Sequence, residues 1–193
     1  AIYARHPVLE LKRAELPVRQ FQIQFAQMLN MATDSDKFVE LAALEGEIGA
    51  WRVAGNVYRS AEGEWLPVFE GKMVQAFDHR ASDIVVASDN LFRPGQGEIV
   101  STEEHQDQSR AAHPRYWIAG SQIPWEGGQS WCVAFKDITA ATNARTSIAA
   151  MIPKAGAGHT LPVAFPNRDT PQFFIEQAPL LLATFNSVPF DYL

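Results

Sequence analysis

An α+β fold, strand-rich and mixed with a few short helices, is predicted by a small set of patterns. Phe21, Ile23 and Phe25 alternate with Gln20, Gln22 and Gln24, and Trp131, Val133 and Phe135 repeat that period of two, which marks strands with one buried face. A third stretch, 65–77, is an apolar run that fits an extended strand over 72–77, with Met73 and Gln75 facing one way and Val74 and Ala76 the other. Helical spacing is scarcer: Phe38, Leu41, Ala42 and Leu44 share one helix face.

In chain order, residues 5–17 read as a short irregular or strand-like lead-in that ends at Pro17. The alternation about Ile23 follows as a half-buried strand. Asp34 or Ser35 can cap the helix that carries Phe38 to Leu44, and Gly46 or Gly49 ends it. Residues 51–58 and 65–77 read as strands separated by the Ser60-Ala61-Glu62-Gly63 turn. Over 87–114 the glycines, prolines and the Glu103-Glu104-His105-Gln106-Asp107-Gln108 run leave little to bury, which predicts a long mobile loop. Apolar pattern resumes at Tyr116-Trp117-Ile118, continues through 131–138, and returns at 147–152 before Pro153. Gly156 and Gly158 loosen the next loop. Residues 173–175 and a helix over 179–185, with Pro179 in its first turn, close the chain. No internal repeat is visible. The whole reads as a single domain, with a division into lobes 1–86 and 115–193 about the 87–114 loop as the alternative.

Composition narrows the function. The 193 residues can bury a proper core, and no apolar run or basic-then-apolar leader points to a membrane or a secretory route. Cys132 is the only cysteine, so there is no disulfide framework, and a reducing, cytoplasmic setting with Cys132 as a small buried hydrophobe is expected. A net charge of −6 argues against a general nucleic-acid binder, whose affinity comes from phosphate neutralisation. Charge can still be segregated by face: acidic residues gather in 40–47, 62–70 and 98–107, whereas Lys136, Arg145, Lys154 and His159 share a stretch whose only acidic residue is Asp137.

The end of the 65–77 run delivers Lys72, Asp78, His79 and Arg80 close together, as either an ion-paired rim or a contact surface for something polar and charged. Neighbouring residues in a strand face opposite ways, so Asp78 does not orient His79 as a general base; a salt-bridged or capping His79 is expected. Glu70-Gly71-Lys72 has the Glu-x-Lys pattern of metal-dependent nucleases, yet no strand-ending Asp precedes it to complete the carboxylate pair. The remaining histidines are scattered without ligand spacing, and no metal site is expected.

Several short blocks resemble, in the same order, those of large restriction-modification methylases of the type IIG kind. Phe69-Glu70-Gly71-Lys72-Met73 with Phe77-Asp78-His79-Arg80 is similar to that family's Tyr-Glu-Gly-Lys-Met…Phe-Asp-His-Arg. Met31-Ala32-Thr33-Asp34-Ser35 resembles its Met-Thr-Asn-Asp-Ser, and Arg115-Tyr116-Trp117-Ile118 its Arg-Tyr-Trp-Val. Phe135-Lys136-Asp137-Ile138-Thr139 with Thr142-Asn143-Ala144-Arg145-Thr146 resembles Phe-Arg-Asp-Ile…Thr-Asn-Glu-Arg-Thr, and Asn186-Ser187 with Phe190-Asp191-Tyr192 resembles Asn-Ser…Phe-Asp-Tyr. Phe69, Lys136 and Ala144 depart from the pattern's Tyr, Arg and Glu, and lysine cannot make arginine's bidentate fork. The last block runs on in the family, so a fragment or truncated product is expected.

The resemblance implies a region downstream of an adenine methylase core. The catalytic Pro-Pro-aromatic motif is missing, since the sequence has no Pro-Pro, and Gly95-Gln96-Gly97 and Gly156-Ala157-Gly158 lack the strand-to-helix setting of a cofactor turn. The chain itself is therefore expected to be non-catalytic and to bind no cofactor, while the parent would use S-adenosylmethionine. The resemblance implies a DNA target-recognition role on double-stranded DNA beside the methylase core of the parent chain. The DNA-binding candidates in the matching blocks are Lys72, His79, Arg80, Arg115, Tyr116, Lys136, Asn143 and Arg145, with Arg145 foremost and Asn143 behind it. The alternatives are a scaffold domain of the same parent that packs on the methylase core and, more remotely, the Glu-x-Lys nuclease.

Overall fold

The computed structural model describes residues 23–86, 95–125, 128–140, 143–166 and 171–191. Its strands are β1 (Ile23–Ala26), β2 (Trp51–Ala54), β3 (Val57–Ser60), β4 (Gly63–Phe69), β5 (Ser82–Val86), β6 (Gly95–Ile99), β7 (Trp117–Ala119), β8 (Trp131–Phe135), β9 (Ala149–Pro153), β10 (Gly156–Ala157) and β11 (Val163–Pro166). The helices are α1 (Leu41–Gly46), α2 (Thr102–Gln106), α3 (Pro171–Phe185) and α4 (Val188–Asp191). The strand-rich α+β class expected from the sequence is the class observed.

One antiparallel sheet runs β1-β11-β8-β9, and a second runs β10-β4-β3-β2 with β7 also paired to β4. The main core lies between them. Leu66, Val68 and Phe69 of β4 and Ile118 of β7 meet Cys132, Ala134, Ala150, Ile152, Val163 and Phe165 of the first sheet. On the outer face of that sheet, Val133, Ala149 and Ala164 pack on Ala178, Leu181 and Phe185 of α3. On the outer face of the second, Trp65, Trp117 and Tyr58 pack on Leu44 of α1. The layers are thus helix, sheet, sheet, helix, and both faces of β8 are covered. Its alternation survives as a division of labour, with Trp131, Val133 and Phe135 toward α3 and Cys132 and Ala134 toward the main core. Burial pushes the Cys132 thiol far up, consistent with an inert packing residue.

Some expectations are corrected. The helix expected after Asp34 is split into a 3₁₀ turn, Ser35–Lys37, and α1, because Val39 exchanges backbone hydrogen bonds with Trp117 in between. Residues 51–58 are not one strand: the chain reverses at Gly55-Asn56, with Gly55 at φ 50°, to make the β2–β3 hairpin. The expected strand over 72–77 is not formed either. β4 ends at Phe69, Gly71–Met73 is a 3₁₀ turn, and the Gly71 N–H leaves the ladder to bond Thr160 Oγ1 at 3.1 Å. Within 87–114 the described residues are ordered as β6, paired along β5, and α2, whose Ser101 and Glu104 form a reciprocal capping box. Pro179 lies inside α3, with Pro171 at its start; the lost backbone hydrogen bond is offset by burial of Ala178, Leu181 and Phe185. β4, which precedes the 87–114 stretch, bonds both β7 and β10, which follow it. The lead-in at 5–17, Phe21 and Thr142 lie outside the described residues. Among those described, no helix is long and apolar enough to cross a membrane.

Candidate functional site

The residues singled out in the sequence fall into distinct groups. The first surrounds Gly95. The Lys72 ammonium donates to the Gly95 carbonyl at 2.7 Å and pairs with Glu70 at 3.1 Å. A Cβ on Gly95 would stand 3.7 Å from Arg115 Cδ, so Arg115 belongs to the same rim. The Arg115 guanidinium lies 4.5 Å from the centre of the Tyr116 ring and 3.6 Å from Glu40, and Tyr116 stacks on Phe38 at 5.6 Å. Burial raises the Tyr116 phenol, so it stays protonated. Both cations of this rim face a carboxylate.

A second group is built by the turn after Met73. Gln75 and Asp78 exchange backbone hydrogen bonds of 2.8 and 2.9 Å, which turns the chain so that Asp78, His79 and Arg80 leave in different directions. Asp78 Oδ1 accepts the Arg80 N–H at 2.7 Å, and Oδ2 faces His105 Nε2 at 2.9 Å. The other ring nitrogen of His105 meets the Ser101 carbonyl at 2.8 Å, so a doubly protonated imidazolium can donate at both ends. That carbonyl and the Asp78 carboxylate hold the His105 pKa above its usual range.

His79 takes the opposite environment. Its ring sits 6.2 Å from that of Phe69, and burial lowers its pKa, which favours the neutral imidazole. No salt bridge to His79 occurs among the described residues; Asp78 is engaged by His105 instead. The Arg80 guanidinium points into the 105–110 segment, where it donates to the carbonyls of Arg110 (3.0 Å), Asp107 (3.3 Å) and His105 (3.4 Å).

Phe69, His79 and Arg80 line a cleft of about 790 Å³ between the β2–β3 turn, the end of β4, the 108–112 segment and the end of β9. Pro67, Phe69, Val57 and Pro153 supply apolar wall, and His79, Arg80, Arg110 and Lys154 supply the ionisable groups; among the described residues no carboxylate lines it. Arg110 is neutralised by Asp83 at 2.6 Å and Glu104 at 2.9 Å. Arg80 is held by carbonyl oxygens, and Lys154 has no ion-pair partner among the described residues. Arg80, which also acts on the nearby Asp107 carboxylate, and Lys154 stand beside an apolar wall, an arrangement that can receive an anion with a planar or apolar part.

The third group lies at the other end of β9. Lys136 is half-buried, its N–H bonded to the Ile148 carbonyl at 2.9 Å, and burial lowers its pKa. Arg145 reaches the end of α3, where its Nη1 donates to the Asn186 carbonyl, with the Asp191 carboxylate nearby. The Asn143 N–H bonds the Ala140 carbonyl at 2.9 Å. The structure therefore brings Lys72 to Arg115 and Tyr116, and His79 to Arg80, and sets Lys136 and Arg145 apart from both.

His105, Arg110 and Lys154 were missed as partners of this site. Ser101-x-x-Glu104 is a capping-box pattern that would have marked α2 and with it a fixed place for His105. Lys154 belongs to the acid-poor basic stretch of the sequence, but no local signal places it at this cleft. Glu70 and Lys72 of the Glu-x-Lys pattern are paired with one another, and among the described residues no three His, Cys, Asp or Glu side chains are gathered to hold a metal ion. Comparison with protein families, curated proteins and solved structures finds no match to this chain.

Proposed function

We propose that this chain is a DNA target-recognition region of a type IIG-like adenine-N6 DNA methyltransferase/restriction enzyme. It is non-catalytic by itself and works in the cytoplasm beside a methylase core that uses S-adenosylmethionine. The ordered blocks described above support the reading. The observation that carries it is the cleft with Arg80 and Lys154 on its walls and no carboxylate among the described residues that line it, in a chain of net charge −6. Double-stranded DNA is the partner, with phosphates at the cationic wall.

A second reading is favoured by a different observation. Lys72 and Arg115 face carboxylates and Arg145 serves a helix end, which is how a scaffold that packs on the methylase core would use its charges. Fluorescence anisotropy with labelled duplexes across a salt series separates the two. Recognition predicts salt-dependent binding whose slope falls by about one in Lys154→Ala. A folded wild-type chain that leaves duplex DNA unbound at low salt eliminates recognition and leaves the scaffold.

A further inference from the structure

The 108–112 wall of the cleft follows α2 in the chain and is tied to the Asp78–Arg80 turn by side chains. Arg80, itself a lining residue, donates from its guanidinium to the carbonyls of His105, Asp107 and Arg110. His105 makes the tie from the helix side, with Nε2 2.9 Å from Asp78 Oδ2 and Nδ1 2.8 Å from the Ser101 carbonyl. A carbonyl and an ionised carboxylate can only accept, so the two contacts together require a proton on each ring nitrogen. A neutral imidazole carries one proton and leaves one of those oxygens without a donor. The His105 side chain is 31% exposed, so water can exchange the second proton without unfolding the helix.

The charges about the ring set the sign of the effect. From the turn His105 meets Asp78 and Arg80, the first favouring and the second opposing the imidazolium. On its own helix Glu104 accepts from the Ser101 N–H and from Arg110, and in the segment beyond, Asp107, on which Arg80 also acts, accepts from Ser109. With the imidazolium present the Asp78 carboxylate is matched and adds little repulsion to an anion held near Arg80. Without it, α2 loses this tie to the turn, and the carboxylate that already accepts the Arg80 N–H at 2.7 Å is left unmatched. A slack wall and an unmatched carboxylate both disfavour a bound phosphate.

We infer that His105 is a proton-controlled positioning residue of the cleft, so that affinity for duplex DNA falls as His105 loses its second proton. The inference rests on the DNA-recognition reading and adds a regulation to it. By linkage, a bound duplex must in turn hold that proton more tightly. His79, which lines the cleft, also gains charge on acidification, but burial puts its titration below about 6.5, whereas the Ser101 carbonyl and Asp78 put that of His105 above.

The test is a duplex-binding series on the 193-residue chain at fixed ionic strength from about pH 6.5 to about pH 8.5, with the His105 ring signal followed by NMR in the free and bound protein. Affinity should fall about fivefold across that range. The His105 midpoint should lie higher in the complex than in the free chain. His105→Gln, whose amide can donate to Asp78 at any pH, should show a flat profile, and so should Asp78→Asn, which removes the carboxylate and keeps an acceptor for the Arg80 N–H. A merely structural histidine would change melting temperature and move neither readout. A fall retained in both variants, or a His105 midpoint that duplex leaves in place, overturns the inference and leaves the DNA reading standing. A wild-type chain that binds no duplex at any pH overturns both.

Discussion

Asn186 grips Ala149 through both halves of its amide: Oδ1 accepts the Ala149 N–H at 2.9 Å and Nδ2 donates to the Ala149 carbonyl at 2.8 Å, with the side chain buried. The pair joins the end of α3 to the first residue of β9. Ala149 also receives the Phe77 N–H, and Asn186 receives Arg145, so this one contact ties the exposed turn, the first sheet and the last long helix together.

Asn186→Ala is accordingly expected to cost about 1–3 kcal/mol, the penalty of leaving a buried backbone N–H without a partner. Urea denaturation measures it. Asn186→Asp should also destabilise, since it loses the Nδ2 donor and sets a carboxylate against the Ala149 carbonyl. A midpoint unchanged in both variants would mean that water replaces the amide and the grip contributes nothing.

The same contact shows which parts of the chain were legible in advance. Asn186 and Asp191 were singled out as one short block and Arg145 and Thr146 as another, without any indication that they meet. In the fold Asp191 Oδ1 accepts the N–H groups of Thr146 and Ser147 at 2.6 Å each, and Arg145 bonds Asn186. Short-range alternation marked β1 and β8, because a strand's side-chain period is a local property. It failed at 72–77, where apolar composition was right for burial of Met73 and Val74 but the ladder partner was missing. The cleft was invisible for the same reason: Asn56, His79, Arg110 and Lys154 are brought together only by the pairing of β4 with its neighbours.

Arg145→Ala tests whether that arginine supports the fold or meets DNA. Its bond to the Asn186 carbonyl, at the negative end of α3, predicts a stability loss of about 1–2 kcal/mol. The salt slope of DNA binding should be unchanged. A slope lower by about one with unchanged stability would instead place Arg145 among the phosphate contacts.

Gly71→Ala probes the turn that presents Lys72. A Cβ there would lie 2.7 Å from the Thr160 carbonyl oxygen, a backbone atom with little freedom to retreat. Overpacking of this kind costs about 1–3 kcal/mol. Thermal melting should show the loss, and a wild-type melting temperature in Gly71→Ala would show that the 158–161 turn yields easily.

The two histidines about the Asp78–Arg80 turn should give stability opposite pH slopes. His105 has its folded pKa raised above the ordinary value near 6.5, first by the Ser101 carbonyl and then by Asp78. Folding therefore favours its protonated form: the contribution is complete below about 6.5 and is lost as pH rises through the raised value. His79 has its folded pKa lowered, chiefly by burial, with Arg80 adding to the effect and Asp78 opposing it. Its contribution is complete above about 6.5 and is lost as pH falls through the lowered value. The carboxylates with lowered pKa values, Glu104, Asp107 and Asp191 among them, act in a separate and more acidic window. Melting temperature against pH should therefore pass through a maximum near neutrality in the wild type. His105→Gln should flatten the alkaline limb and leave the acid limb, because the tether from α2 to Asp78 no longer depends on a proton. His79→Gln should flatten the limb just below neutrality and leave the alkaline one. An alkaline limb that survives unchanged in His105→Gln would show that the contact with Asp78 is not what links α2 to the turn in solution.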